Sequence, residues 1–88
     1  MDSYKILIKP AVEKDLRRLP KPTVTRILAA IEKLGVNPFP NRTVKLESAE
    51  ELFRIRVGDY RVVYEVDGNA RQVIIHHVRH RREVYRKL

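Results

Sequence analysis

The chain opens with an apolar-rich run, YKILIK from Tyr4 to Lys9, that predicts a first strand ended by Pro10. Val12, Leu16 and Leu19 then recur at helical spacing, predicting a helix over Ala11–Leu19 with Pro10 suited to its first turn. Pro20-Lys21-Pro22 breaks the run. A second stripe, Val24, Ile27, Leu28, Ile31 and Leu34, predicts a helix from about Thr23 to Leu34. Gly35 is placed to end it, with Pro38 just beyond. The two helices should form a hairpin that lays its apolar stripe on a sheet. Asn37–Arg42, NPFPNR, reads as a loop, and Val44–Leu46 as a short strand.

From Leu52 to Val66, LFRIRVGDYRVVYEV, the rhythm changes to alternation on both sides of Gly58-Asp59, a pair suited to a two-residue type II′ hairpin turn. With those two residues as the turn, Val57 lies opposite Tyr60, Arg56 opposite Arg61, and Arg54 opposite Val63. Phe53, Ile55, Val57, Tyr60, Val62 and Tyr64 then share one face, and Arg54, Arg56 and Arg61 the other. Like charges opposite each other destabilise a sheet. A hairpin with only a structural task has little reason to accept that cost; an anion-binding site does. A second turn at Asp67-Gly68-Asn69 leads to a strand over about Arg71–Val78, and the tail Arg79–Leu88 reads as a short helix or partly ordered arm. The element order β-α-α-β-β-β implies an α+β fold. It would be a mainly antiparallel sheet of about four strands, with the helical hairpin on one face and the arginines on the other.

Eighty-eight residues, 43% of them hydrophobic, bound the chain to a single domain with one modest core, residues 1–88. The net charge of +8 favours an acidic or polyanionic partner such as nucleic acid, a membrane surface or an acidic protein. From Arg54 onward there are nine Arg or Lys residues against four acidic ones, and eight of the nine are arginine, whose flat fork suits bidentate phosphate contacts. In the tail alone such a run is commonly just solvated, whereas the cross-strand cluster points to function. No apolar run of 18 residues and no N-terminal signal pattern occur, which reads as a soluble, cytoplasmic chain with no membrane role. Zero cysteines exclude a disulfide framework and a thiolate nucleophile, and no Asp, Glu or His group has metal-ligand spacing, so no cofactor is expected.

Other residues have structural readings. Tyr60 and Tyr64 face the apolar side of the hairpin, and Tyr4 packs in a strand. Ser3 and Ser48 match no nucleophile motif, and the three glycines suit turns and a helix end rather than a phosphate-binding loop. Glu47, Glu50 and Glu51 read as a solvated loop. His76 and His77 occupy consecutive strand positions and so point to opposite faces; a bulge near Asp67-Gly68-Asn69 would decide which one joins the arginines.

GDYRVVYEV, preceded by LFRIRV and followed by VRHRREVYRKL, resembles the RelE toxins of toxin–antitoxin pairs, and the likeness runs through the whole chain. The resemblance implies a small, metal-independent ribonuclease that enters the ribosomal A site and cuts messenger RNA by attack of a ribose 2′-OH on the adjacent phosphate. It implies active-site positions at Arg54, Arg56, Arg61, Arg79 and Tyr85, of which Arg56, Arg61, Arg79 and Tyr85 read as catalytic; Arg54, together with the neighbouring His80, Arg81 and Arg82, reads as binding RNA. It also implies a cognate antitoxin, whose C-terminal arm should be acidic to match the +8 toxin it wraps. Many relatives carry lysine where this chain has Arg54 and Arg56. Arginine does not give up its proton, so the general base stays open among Tyr85, His80 and Glu65, with a purely electrostatic mechanism as the alternative. The related ParE branch, which acts on DNA gyrase without this basic constellation, and a plain RNA-binding module are the competing readings.

Overall fold

The computed structural model describes residues 3–41, 43–46 and 52–80. In chain order the elements are β1 (Lys5–Ile8), α1 (Pro10–Arg17), α2 (Lys21–Val36), β2 (Val44–Lys45), β3 (Leu52–Val57), β4 (Tyr60–Asp67) and β5 (Gln72–His80). They form one sheet in the order β1-β5-β4-β3-β2. All neighbours are antiparallel except β1 and β5, which run parallel. With the expected short strand near Val44–Leu46 forming as two-residue β2 on the β3 edge, the sheet has five strands.

The helices begin and end where local chemistry allows. Pro10 opens α1, where a missing N–H costs nothing. The helix stops after Arg17, two residues short of the predicted Leu19, and Leu19 packs against the core from outside it. Pro20 caps α2 and Pro22 sits in its first turn, so the Pro-Lys-Pro break also starts the second helix, ahead of the predicted Thr23. Gly35 does not end α2, which continues to Val36. A β-carbon at Gly35 would lie 3.1 Å from the Tyr4 carbonyl oxygen, and the Tyr4 N–H donates to the Gly35 carbonyl at 2.7 Å. This glycine lets the helix approach the start of β1. Extended Asn37 ends the helix, as suits a residue that precedes proline.

Val12 and Leu16 of α1 and Ile27, Ile31 and Leu34 of α2 meet Ile55, Val62, Tyr64, Val66, Val73, Ile75 and Val78 of the sheet. Each such side chain stabilises the fold by about 1.5–3 kcal/mol when fully buried, before the entropy cost of ordering it. Tyr64, at the centre of β4, also ties down the loop after α2. Its hydroxyl donates to the Pro38 carbonyl at 2.6 Å and lies 3.3 Å from the Thr43 hydroxyl. Burial pushes its pKa above the usual phenol value, with the Thr43 contact pulling the other way. Phe39 packs edge-on against Phe53, which in turn lies against Tyr64. No helix among the described residues is long and apolar enough to cross a membrane.

Both hairpin turns form. Gly58 takes φ +59° while Asp59 does not, in keeping with the II′ geometry. In the second turn, Asp67 accepts the N–H groups of Asn69 and Ala70 at 3.0 Å each. There the left-handed residue is Arg71 (φ 53°), not the glycine. Its guanidinium lies 4.6 Å from the centre of the Tyr4 ring. The last strand therefore starts at Gln72 and runs to His80, taking in two residues the sequence had assigned to the tail.

Candidate active site

Alternation and turn geometry set the first half of the site. The observed β3–β4 register is the one the Gly58-Asp59 turn dictates, with Val57 opposite Tyr60, Arg56 opposite Arg61, and Arg54 opposite Val63. The second half depends on a feature the sequence does not show. Counting back from the Asp67–Gln72 pair would set Val78 opposite Arg61 and turn Arg79 into the core. Instead β5 carries one extra residue, His76, opposite the Val63/Tyr64 step. The bulge moves the register by one, so Val78 faces the helices and Arg79 lies opposite Arg61.

Arg56, Arg61 and Arg79 consequently form one row across three adjacent strands. Their strand neighbours Ile55, Val62 and Val78 are buried beneath the helices, so the row lies on the face the helices leave open. Arg54, Val63 and His77 form the next row on that face. Opposed residues in such a sheet stand about 4.5–5.5 Å apart at Cα, close enough for neighbouring guanidinium groups to grip one phosphate. The Arg56 Nε donates to the Gly58 carbonyl at 3.1 Å, which holds that side chain near the hairpin tip. Arg79 reaches α1, where its Nη1 meets the Asp15 carboxylate at 2.7 Å. It can do so because β1 pairs β5 only as far as Ile75, leaving the edge beyond open. Asp15 thus fixes one end of the row, and nothing in the sequence singled it out.

The bulge also rearranges the histidines. His76 and His77 do not point to opposite faces as their adjacency predicts. His76 is displaced outward, with its Nε2 2.9 Å from the Glu65 carboxylate, and its ring lies 6.3 Å from that of His77. His77, opposite Val63, is exposed on the arginine face. Partial burial holds its pKa below the usual 6.5, aided by Arg79, His76 and Lys9 and opposed by Asp15. His80 pairs with Tyr60 and stacks edge-on against it at 5.2 Å, on the helix side of the sheet, away from Arg79. Among the described residues, no three His, Cys, Asp or Glu side chains come together in a way that could hold a metal ion.

A family model described as the ParE toxin of type II toxin–antitoxin systems, parDE, matches residues 6–85. The chain belongs to the RelE/ParE toxin family. It is 34% identical to the toxin RelE of Mycobacterium tuberculosis over 88 residues, covering 94% of this chain and 87% of the relative. It is 32% identical to the toxin RelE3 of Methanocaldococcus jannaschii, covering 92% and 94%. Its fold matches the toxin in the crystal structure of the archaeal RelE–RelB complex from Pyrococcus horikoshii with a TM-score of 0.81 and 33% identity, over 90% of this chain and 96% of that one.

Of the site residues expected from the sequence, the fold gathers Arg54, Arg56, Arg61 and Arg79 on one face. His80 falls on the other. Arg81, Arg82 and Tyr85 lie outside the described residues. The RelE-type reading had left His77 and Asp15 aside. Period-two counting back from Arg79 could have found His77; nothing local to Asp15 marks its partner 64 residues away.

Proposed function

We propose that this toxin is a ribosome-dependent endoribonuclease that cuts messenger RNA in the A site and so arrests translation. The observation that carries the reading is the row Arg56–Arg61–Arg79, three like charges held side by side on an open sheet face. Attack by a ribose 2′-OH forms a five-coordinate, dianionic phosphorane. Fixed guanidinium groups stabilise that charge more than they stabilise the ground state, the effect that lowers a barrier. Arg54 in the next row extends the positive track along the RNA backbone. Tyr85 supplies a ring for a splayed base, a stacking contact worth about 1–3 kcal/mol. In this reading the ribosome holds the message around the scissile phosphate while the arginine row meets it. RelE relatives have been solved in complex with RelB antitoxins, which supports a cognate antitoxin here too, with an acidic arm suited to the +8 surface.

Purified toxin mixed with ribosomes holding a message and an empty A site should cut it, while naked RNA is cut weakly or not at all. Arg61→Ala and Arg79→Ala should each slow the cut by a hundredfold or more, the usual cost of removing one preorganised charge, about 3 kcal/mol. Comparable cleavage of naked RNA would overturn the ribosome dependence. The ParE description of the matching family model favours a second reading, inhibition of DNA gyrase. Blocked supercoiling by purified gyrase, with intact ribosome-bound message, would establish that reading instead.

A further inference from the structure

We propose that His77 is the general base of this toxin, taking the proton from the attacking ribose 2′-OH. The inference rests on the cleavage reading above and names a residue for the role that reading leaves vacant. His77 stands two positions before Arg79 on β5, hence on the same face and about 7 Å away along the strand. A phosphate gripped by Arg61 and Arg79 places the adjoining ribose within the span of the His77 ring. Among the described residues, which do not include Tyr85, the other titratable groups of this face are differently engaged. Glu65 is bound to His76, Asp15 is bound to Arg79, and the side chains of Arg54, Arg56 and Arg61 bring no proton acceptor. His80 stacks on Tyr60 on the opposite side of the sheet.

The surroundings of His77 suit an acceptor. It is exposed, so RNA can reach it. Charged groups face it from each neighbouring element: Arg79 and His76 on β5, Lys9 after β1, and Asp15 on α1. Arg54 shares its row across β4. Partial burial is the first influence that favours the neutral ring, aided by Arg79, His76 and Lys9 and opposed by Asp15, which is itself paired with Arg79. A neutral imidazole offers the lone pair a base requires.

In the step, the 2′-oxygen forms a bond to phosphorus as its proton passes to His77, and the bond from phosphorus to the 5′-oxygen breaks. The 5′-oxygen takes a proton from solvent, and His77 returns its own to solvent. The products are a 2′,3′-cyclic phosphate and a 5′-hydroxyl.

The test is the single-turnover rate on ribosome-bound message from about pH 5 to about pH 8, beside the affinity for the programmed ribosome. The parent rate should rise with pH and level off as a single imidazole gives up its proton. His77→Gln should bind as tightly as the parent, cut about 10²–10⁴-fold more slowly, and lack that inflection. His77→Gly should recover rate when free imidazole is added. A His77→Gln variant that cuts within a fewfold of the parent rate with the same pH profile overturns the assignment. So does a loss of rate matched by an equal loss of affinity, which would mark a mere RNA contact. A parent that never cuts ribosome-bound message defeats the cleavage reading itself, whereas an active parent with an equally active variant defeats only His77.

Discussion

Charge relief at Arg56 should stabilise the fold while it harms the toxin. Arg56 is exposed, faces Arg61 directly, and donates its Nε–H to the Gly58 carbonyl. Two charges about 5 Å apart repel by about 1 kcal/mol in water, a lower bound for exposed Arg56 facing half-buried Arg61. Losing a surface hydrogen bond to an exposed carbonyl returns about 0.5 kcal/mol of that. Arg56→Gln should therefore raise stability by about 0.5 kcal/mol, which for a domain of this size is a rise of about 2–4 °C in Tm. Arg56→Glu turns the repulsion into an attraction of similar size, for a net gain of about 1.5 kcal/mol and about 6–12 °C. Thermal and urea denaturation followed by circular dichroism would measure both. The signature is salt: the gains should be largest near about 10 mM NaCl and mostly vanish near about 1 M, where screening acts within about 3 Å. Variants that are less stable than the parent at low salt would refute the reasoning. Gains indifferent to salt would do the same, because they could not come from opposed charges.

Three further outcomes are expected. Tyr64→Phe removes the buried donor to Pro38 and should cost about 1–3 kcal/mol, read as a lower urea midpoint with the slope unchanged. The lowered pKa of His77 means that the unfolded chain takes up its proton first as pH falls. Its share of stability is therefore present above about pH 6.5 and lost below it, and His77→Gln should flatten that part of a stability–pH curve. Tyr85→Phe keeps the ring and should retain most of the cleavage that Tyr85→Ala loses. If the two variants are equally damaged, the hydroxyl rather than the ring is what matters.

The parts of the fold that were legible are those set by local rules. Alternation around Gly58-Asp59 fixed the β3–β4 register to the residue, because a two-residue turn leaves no freedom in pairing. The stripes at Val12–Leu16 and Ile27–Leu34 revealed the helix faces that are buried. What could not be read were devices whose cause lies far along the chain. Gly35 looked like a helix terminator but serves close packing against Tyr4, a contact across some thirty residues. The left-handed site of the second turn fell on Arg71 instead of Gly68, where the Tyr4 ring and the Lys5 amide support it. The bulge at His76 leaves no compositional trace, yet it decides that Arg79 joins the arginine row and that both histidines reach the open face. The resemblance to RelE placed Arg79 in the site without supplying this reason.

The parallel pairing of β1 with β5 has a consequence for how the protein is made. Lys5 is partnered by Gln72, and the third arginine of the row comes later still, at Arg79. Among the described residues β1 therefore has no strand neighbour until β5 has been synthesised. Contacts of such long sequence separation form late and slowly. A nascent chain that lacks β5 has only Arg56 and Arg61 of the row, no Asp15–Arg79 tie and an open edge on β4. The arginine row is complete only once β5 has been made and has paired with β4.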